Sequence, residues 1–122
     1  MSGNGRDLVV MISKGIEDEL SSVGFTIANG GITAGLKVSI FLTSSGVDLV
    51  RKGSADLTQV HPLEPLADLI KDFLARDGTL WACTPCVKAR AYAQDDLIEG
   101  TVIAGSSVMH ALILEGAATL SF

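Results

Sequence analysis

Two residues in this chain have the chemistry to carry a reaction by themselves: Cys83 and Cys86, in the segment Trp81-Ala-Cys-Thr-Pro-Cys-Val-Lys. They are its only cysteines. A thiolate at this spacing serves redox, sulfur or metal chemistry. Zinc normally takes four ligands. One Cys pair, with His61 and His110 as the sole histidines, supplies them poorly, because His61 falls in an expected loop and His110 inside an expected helix. We therefore expect no metal and no cofactor. A lone cysteine is most often a small buried hydrophobe. Two of them flanking Thr-Pro at the end of an apolar run are harder to explain that way.

The elements around the pair decide what it can do. Thr79–Ala82 reads as a strand, and Pro85 opens a helix expected to run to about Ala93. A cysteine at a strand end and helix start sits where unpaired N–H groups and the helix dipole favour negative charge. A thiolate there is stabilised and its pKa falls from roughly 8.5. Lys88 and Arg90 add positive charge.

The rest of the chain alternates strand and helix patterns. Asp7–Ser13 is an apolar run of the kind that forms a doubly buried parallel strand. Glu17–Ala34 reads as a helix, with Leu20, Val23, Gly24, Ile27, Ala28, Gly31 and Ala34 toward the sheet and Phe25 and Ile32 on a second face. Leu36–Thr43 is the next strand, followed by a loop at Thr43-Ser-Ser-Gly and a short helical turn over Val47–Arg51. Gly53–Pro62 reads as a mobile loop. A helix starts at Pro65 and closes at Gly78. After the polar connection Gln94–Gly100 come a strand at Thr101–Ala104, a helix with Ser106 as N-cap and Gly116 as terminator, and a strand at Ala117–Phe122. The expected fold is α/β: one domain over residues 1–122, three layers in α/β/α order, with a mostly parallel five-stranded sheet. In such sheets, reacting groups collect beyond the C-terminal strand ends. The loops after Thr43, Ala82 and Ala104 meet there.

Composition excludes several classes. With 122 residues, 48 % hydrophobic and 19 % charged, the chain can bury a core without staples. Nine basic against fourteen acidic residues leave a net charge of -5, a poor match for nucleic acid. The longest uncharged stretches are interrupted by polar residues and glycines or are too short for a bilayer. Asp7 and Lys14 bracket too short an apolar run for a signal peptide. A cytoplasmic protein without membrane contact is expected, its surplus hydrophobicity spent on a subunit interface.

The sequence resembles the DsrE/DsrF-like (TusD-related) sulfur-relay family over nearly its whole length. Lys37-Val-Ser-Ile-Phe-Leu-Thr-Ser-Ser-Gly-Val is similar to a family strand and loop. Cys83 followed seven residues later by Arg90 is the most specific match. Asp96-Leu-Ile-Glu-Gly and Gly105 also fit. Ala91 stands where the family usually has the glycine of an Arg-Gly pair. The resemblance implies the DsrEFH-like fold and a sulfur carrier or sulfurtransferase that holds sulfane sulfur as a cysteine persulfide. It implies a homo-oligomer, trimer or hexamer, and a small sulfur-carrier protein or rhodanese-like donor as partner. Cys83 matches the family's sulfur-binding cysteine, and Cys86 the second cysteine of a CxxC subset, resolving the persulfide or sharing its sulfur.

Other residues have two readings each. Arg90 would neutralise a persulfide or be a solvated helix residue. Thr43, Ser44 and Ser45 would bind an anion or simply shape a turn. Ser106 and Ser107 would bind an anion at a helix start or cap it. His61 would deliver a proton or stand idle, and His110 would be a core histidine. Trp81 would shield the thiols or fill an interface. The Tyr92 hydroxyl, near the end of the thiol helix, is a candidate for either role. Two rival functions remain: a dithiol redox protein, by thiol–disulfide exchange or peroxide reduction, and a non-catalytic oligomeric binding protein.

Overall fold

The computed structural model describes residues 5–122. Five strands, β1 (Asp7–Ile12), β2 (Lys37–Leu42), β3 (Thr79–Cys83), β4 (Thr101–Ala104) and β5 (Ala118–Ser121), alternate with four α-helices: α1 (Glu19–Thr33), α2 (Leu66–Ala75), α3 (Thr84–Ala89) and α4 (Ser107–Leu114). The sheet order is β4-β3-β2-β1-β5. Every pairing is parallel, so the expected mostly parallel sheet is wholly so. Steps from β1 through β4 run one way across the sheet, and the step to β5 returns past them. Right-handed crossovers then place α1, α2 and α3 on one face and α4 on the other.

Leu8, Val10 and Ile12, Val38, Ile40 and Leu42, and Leu80 and Ala82 alternate onto the first face. They meet Phe25 and Ala28 of α1 and Leu66, Leu69, Ile70 and Phe73 of α2 in one continuous core. Phe25 and Phe73 stack edge to face, their ring centroids 6.0 Å apart, a geometry aromatic pairs favour. Val9 and Met11 alternate to the second face and share a cleft with Met109 and Ile113 of α4.

Several boundaries differ from expectation. Helix α1 starts at Glu19, because Asp18 is its N-cap and accepts the Leu20 N–H at 2.8 Å. Its buried stripe is Ser21, Ser22, Gly24, Phe25, Ala28, Asn29 and Gly31, leaving Leu20 and Ile27 well exposed. Close approach sets that choice: a Cβ on Gly24 would lie 2.7 Å from Ile12 Cδ1, and only a small-residue face comes that near. At the end of α2 it is Asp77 that takes the left-handed turn, at φ 66°. Gly78 is needed instead because the Phe73 ring lies where its Cβ would be. The Thr43-Ser-Ser-Gly loop is in fact the entry to a 3-10 helix over Ser44–Val50. Helix α3 stops at Ala89 rather than Ala93, because the chain reverses at Ala91, whose φ is +56°.

Helix α4 is apolar at Val108, Met109, Ala111, Leu112, Ile113 and Leu114, yet none of its residues is buried. Leu114 is 89 % exposed and Ile113 is exposed on the same helix, and Val102 is exposed on the edge strand β4, in register with Trp81. An apolar helix normally hides at least one stripe. Among the described residues, no helix is long and apolar enough to cross a membrane.

Candidate functional site

The thiol site forms at the C-terminal edge of the sheet, where β2 and β3 end side by side, Leu42 paired with Ala82. Cys83 closes β3 and is the N-cap residue of α3. Cys86 lies within the first turn of α3, where Pro85 fixes the entry. Both are free and partly exposed. Neighbouring β2 delivers two donors to Cys86. The Ser44 N–H points at its Sγ at 3.1 Å, and the Thr43 hydroxyl lies 3.7 Å away. Ser44 has φ +52°, an uncommon conformation for a residue with a side chain. That φ orients the peptide N–H that reaches the sulfur. No hydrogen bond joins Ser45 or Ser106 to a thiol among the described residues.

Burial is the largest single influence on the Cys86 thiol and raises its pKa. The Ser44 N–H, the Thr43 hydroxyl, the Cys83 thiol and the Arg90 charge act together against it, and the net direction is downward from the ordinary 9.0. Hydrogen bonds to the charged form outweigh desolvation here because Cys86 keeps contact with solvent.

Behind the thiols lies an ionic anchor. Arg90 Nε donates to Asp48 Oδ1 at 3.0 Å, and its Nη1 donates to the Cys86 carbonyl at 3.3 Å. The Tyr92 hydroxyl donates to the same Asp48 oxygen at 2.6 Å. The Arg51 guanidinium sits 5.4 Å over the Tyr92 ring, within cation–π range. That hydrogen bond to Asp48, with some burial, raises the Tyr92 pKa above the ordinary 10.0. The left-handed turn at Ala91 makes this possible, because it turns the chain between Arg90 and Tyr92 and brings both onto one carboxylate. A cleft of about 630 Å³, lined by Lys14, Glu17, Asp18, Ser44 and Asp48, opens beside the anchor. A second cleft of about 600 Å³ lies against Lys37, Trp81 and Val108 and holds neither cysteine.

The structure thus brings together Cys83, Cys86, Thr43, Ser44 and Arg90. It leaves Ser106 aside: exposed, its hydroxyl makes no capping bond, and its carbonyl instead accepts from His110. His110 is exposed on α4, not a core histidine, and His61 is exposed in a turn. Trp81 lies on β3, half-buried, in the second cleft. Sequence reasoning missed Asp48. The only signal was an acid inside an apolar turn, five residues after Thr43, with nothing to name its partners. Among the described residues, no group of three or more His, Cys, Asp or Glu side chains is placed to hold a metal ion.

The DsrE/DsrF-like family model matches residues 6–122. The chain belongs to that family. The uncharacterized protein MJ0989 of Methanocaldococcus jannaschii is 32 % identical over 99 residues, covering 81 % of this chain and 79 % of its own length. MK0008 of Methanopyrus kandleri, also uncharacterized, is 31 % identical over 109 residues, covering 87 % and 83 %. A third, MJ0760 of M. jannaschii, is 34 % identical over 83 residues, 67 % of this chain, and this chain spans only 30 % of its length. Among solved structures, the YchN protein of E. coli superposes with a TM-score of 0.78 at 17 % identity, covering 97 % of this chain and 99 % of that one. MTH1491 of Methanobacterium thermoautotrophicum gives 0.75 at 18 % identity, covering 96 % and 99 %. These likenesses show the fold.

Proposed function

We propose that this protein is a sulfur carrier or sulfurtransferase, taking a sulfane sulfur onto the Cys83/Cys86 pair as a persulfide and passing it to an acceptor protein. The observation that carries the reading is the sulfur-directed hydrogen bonding at Cys86, 3.1 Å from the Ser44 N–H, at the strand edge where the family resemblance locates the reactive cysteine. Those donors stabilise an anionic sulfur without a metal. Arg90 holds the turn and adds positive charge. The partner class is a small sulfur-carrier protein or a rhodanese-like donor, and the setting is the cytoplasm. The apolar, unburied α4 supports a homo-oligomer, a trimer or hexamer. Polysulfide treatment followed by intact-protein mass spectrometry tests the reading. One or more added sulfur masses, removed by reductant and lost in the double Cys→Ser variant, are the expected result. An unchanged mass sinks it.

A second reading, thiol–disulfide exchange, is favoured by one influence: the Cys83 thiol is among the groups that lower the Cys86 pKa. It predicts a Cys83–Cys86 disulfide that a thioredoxin-type reductant turns over, with no persulfide in the polysulfide experiment.

A further inference from the structure

We propose that Cys86, rather than Cys83, is the thiolate onto which sulfur first enters, and that Cys83 then takes the sulfur from it. The assignment rests on the sulfur-carrier reading and divides the labour within it. Two donors from another element, the Ser44 N–H at 3.1 Å and the Thr43 hydroxyl at 3.7 Å, converge on the Cys86 sulfur. Cys83 has no such donor among the described residues: its side chain makes no capping bond to α3. The left-handed φ of Ser44 is a departure from ordinary backbone, uncommon for a residue with a side chain. Its visible product is the N–H aimed at Cys86. The lowered Cys86 pKa agrees with this geometry.

The chemistry balances as two exchanges of a neutral sulfur atom. In the first, the Cys86 thiolate attacks the outer sulfur of a persulfide or polysulfide donor. A new S–S bond forms at Cys86, the donor's S–S bond breaks, and the donor leaves as a thiolate or shortened polysulfide. In the second, the Cys83 thiolate attacks the outer sulfur on Cys86. That S–S bond breaks, Cys83 holds the persulfide, and Cys86 departs as a thiolate. Neither step needs an external oxidant or reductant. A thiolate already stabilised by hydrogen bonds is a better leaving group, so the same donors that make Cys86 receptive also make it release its cargo.

Limited alkylation with iodoacetamide, mapped by peptide mass, tests the order of reactivity without reference to sulfur. The groups acting on the thiol are the Ser44 N–H, the Thr43 hydroxyl, Cys83 and the Arg90 charge, with Asp48 paired to Arg90. Cys86 is expected to react severalfold faster than Cys83 near neutral pH, because donors from another element converge on its sulfur alone. Thr43→Val should slow Cys86 roughly two- to threefold, the loss of one weak sulfur hydrogen bond, and leave Cys83 unchanged. Alkylation of Cys83 first, or an unmoved Cys86 rate in Thr43→Val, overturns the assignment. With polysulfide, Cys83→Ser should still load sulfur on Cys86, and Cys86→Ser should load Cys83 severalfold more slowly than the parent loads Cys86. Parent-rate loading of Cys83 in Cys86→Ser also overturns it. Cys86-first alkylation with no sulfur on any variant supports the order of the thiols and overturns the carrier reading instead.

Discussion

Ala91→Gly should stabilise this protein, and the amount can be worked out from the backbone. Ala91 has φ +56°, a conformation that costs a residue with a Cβ about 1–2 kcal/mol. Glycine removes that strain but returns roughly 0.4–1 kcal/mol through a freer unfolded chain. Ala91 is exposed, so deleting its methyl forfeits almost no burial. The net gain is about 0.5–1 kcal/mol, and at this chain length each kcal/mol moves Tm by about 3–6 °C. The assay is thermal unfolding by circular dichroism at matched protein concentration, with Ala91→Val beside it. A β-branched side chain fits the left-handed region worse than alanine, so the valine variant should melt lower than the parent. The rate of thiol alkylation should stay within about twofold in Ala91→Gly, because the turn it relaxes keeps its shape. If Ala91→Gly melts at or below the parent temperature, the turn is not strained by its methyl and the reasoning is refuted.

The protein has a single tyrosine, so its phenol can be titrated by absorbance. Tyr92 should ionise above pH 10.0 and fall back toward that value in Asp48→Asn, which removes the carboxylate that holds its proton. Tyr92→Phe should cost about 1–2 kcal/mol by urea unfolding, the value of a charge-assisted hydrogen bond that is half-buried; no change in midpoint would show that water replaces it freely. For Cys86 the sign runs the other way. The folded thiol releases its proton below the ordinary 9.0, so between the two values the folded state binds fewer protons than the unfolded. Stability contributed by this group is complete above about pH 9, is lost as pH falls through the folded value, and should disappear from the pH profile in Cys86→Ser. Leu114→Asp, at an apolar position 89 % exposed in the single chain, should convert an assembled species to a smaller one by light scattering, and an unchanged mass would place the interface elsewhere.

How much of this was legible in the sequence depended on which physical signal each element carries. Buried parallel strands announce themselves as apolar runs such as Leu8-Val-Val-Met-Ile, and all five strands and the order of the helices follow from such runs. The buried stripe of α1 followed in part: Gly24, Ala28, Gly31 and Phe25 are buried as expected, but Leu20 and Ile27 are exposed while Ser21, Ser22 and Asn29 are buried. Hydropathy favours Leu20 and Ile27, whereas contact distance favours the small residues, Gly24 and Gly31 allowing Ile12 and Val38 to approach. The short extent of α3 was hidden for a related reason: alanine carries no sign that it will adopt a left-handed turn, and only the departure from the family's glycine marked Ala91. At the site, the pair of cysteines and the edge they occupy were readable from spacing. The donors on Cys86 were not, because they depend on one peptide plane between Thr43 and Ser44. Neither was Asp48, whose two partners lie 42 and 44 residues away along the chain.

Parallel pairing of β5 with β1 has a practical consequence for anyone handling the protein. Because every strand points the same way, β5 runs out at the same rim as the thiols. Phe122 is stitched there, its N–H on the Met11 carbonyl at 2.8 Å and its carbonyl accepting from Ser13 at 2.9 Å. Ser13 is itself part of the cleft beside Asp48. A purification tag, fluorescent label or fused domain joined after Phe122 is therefore delivered to the same rim of the sheet as the thiols, one strand removed from β2. Strand β1 begins, at Asp7, on the opposite rim.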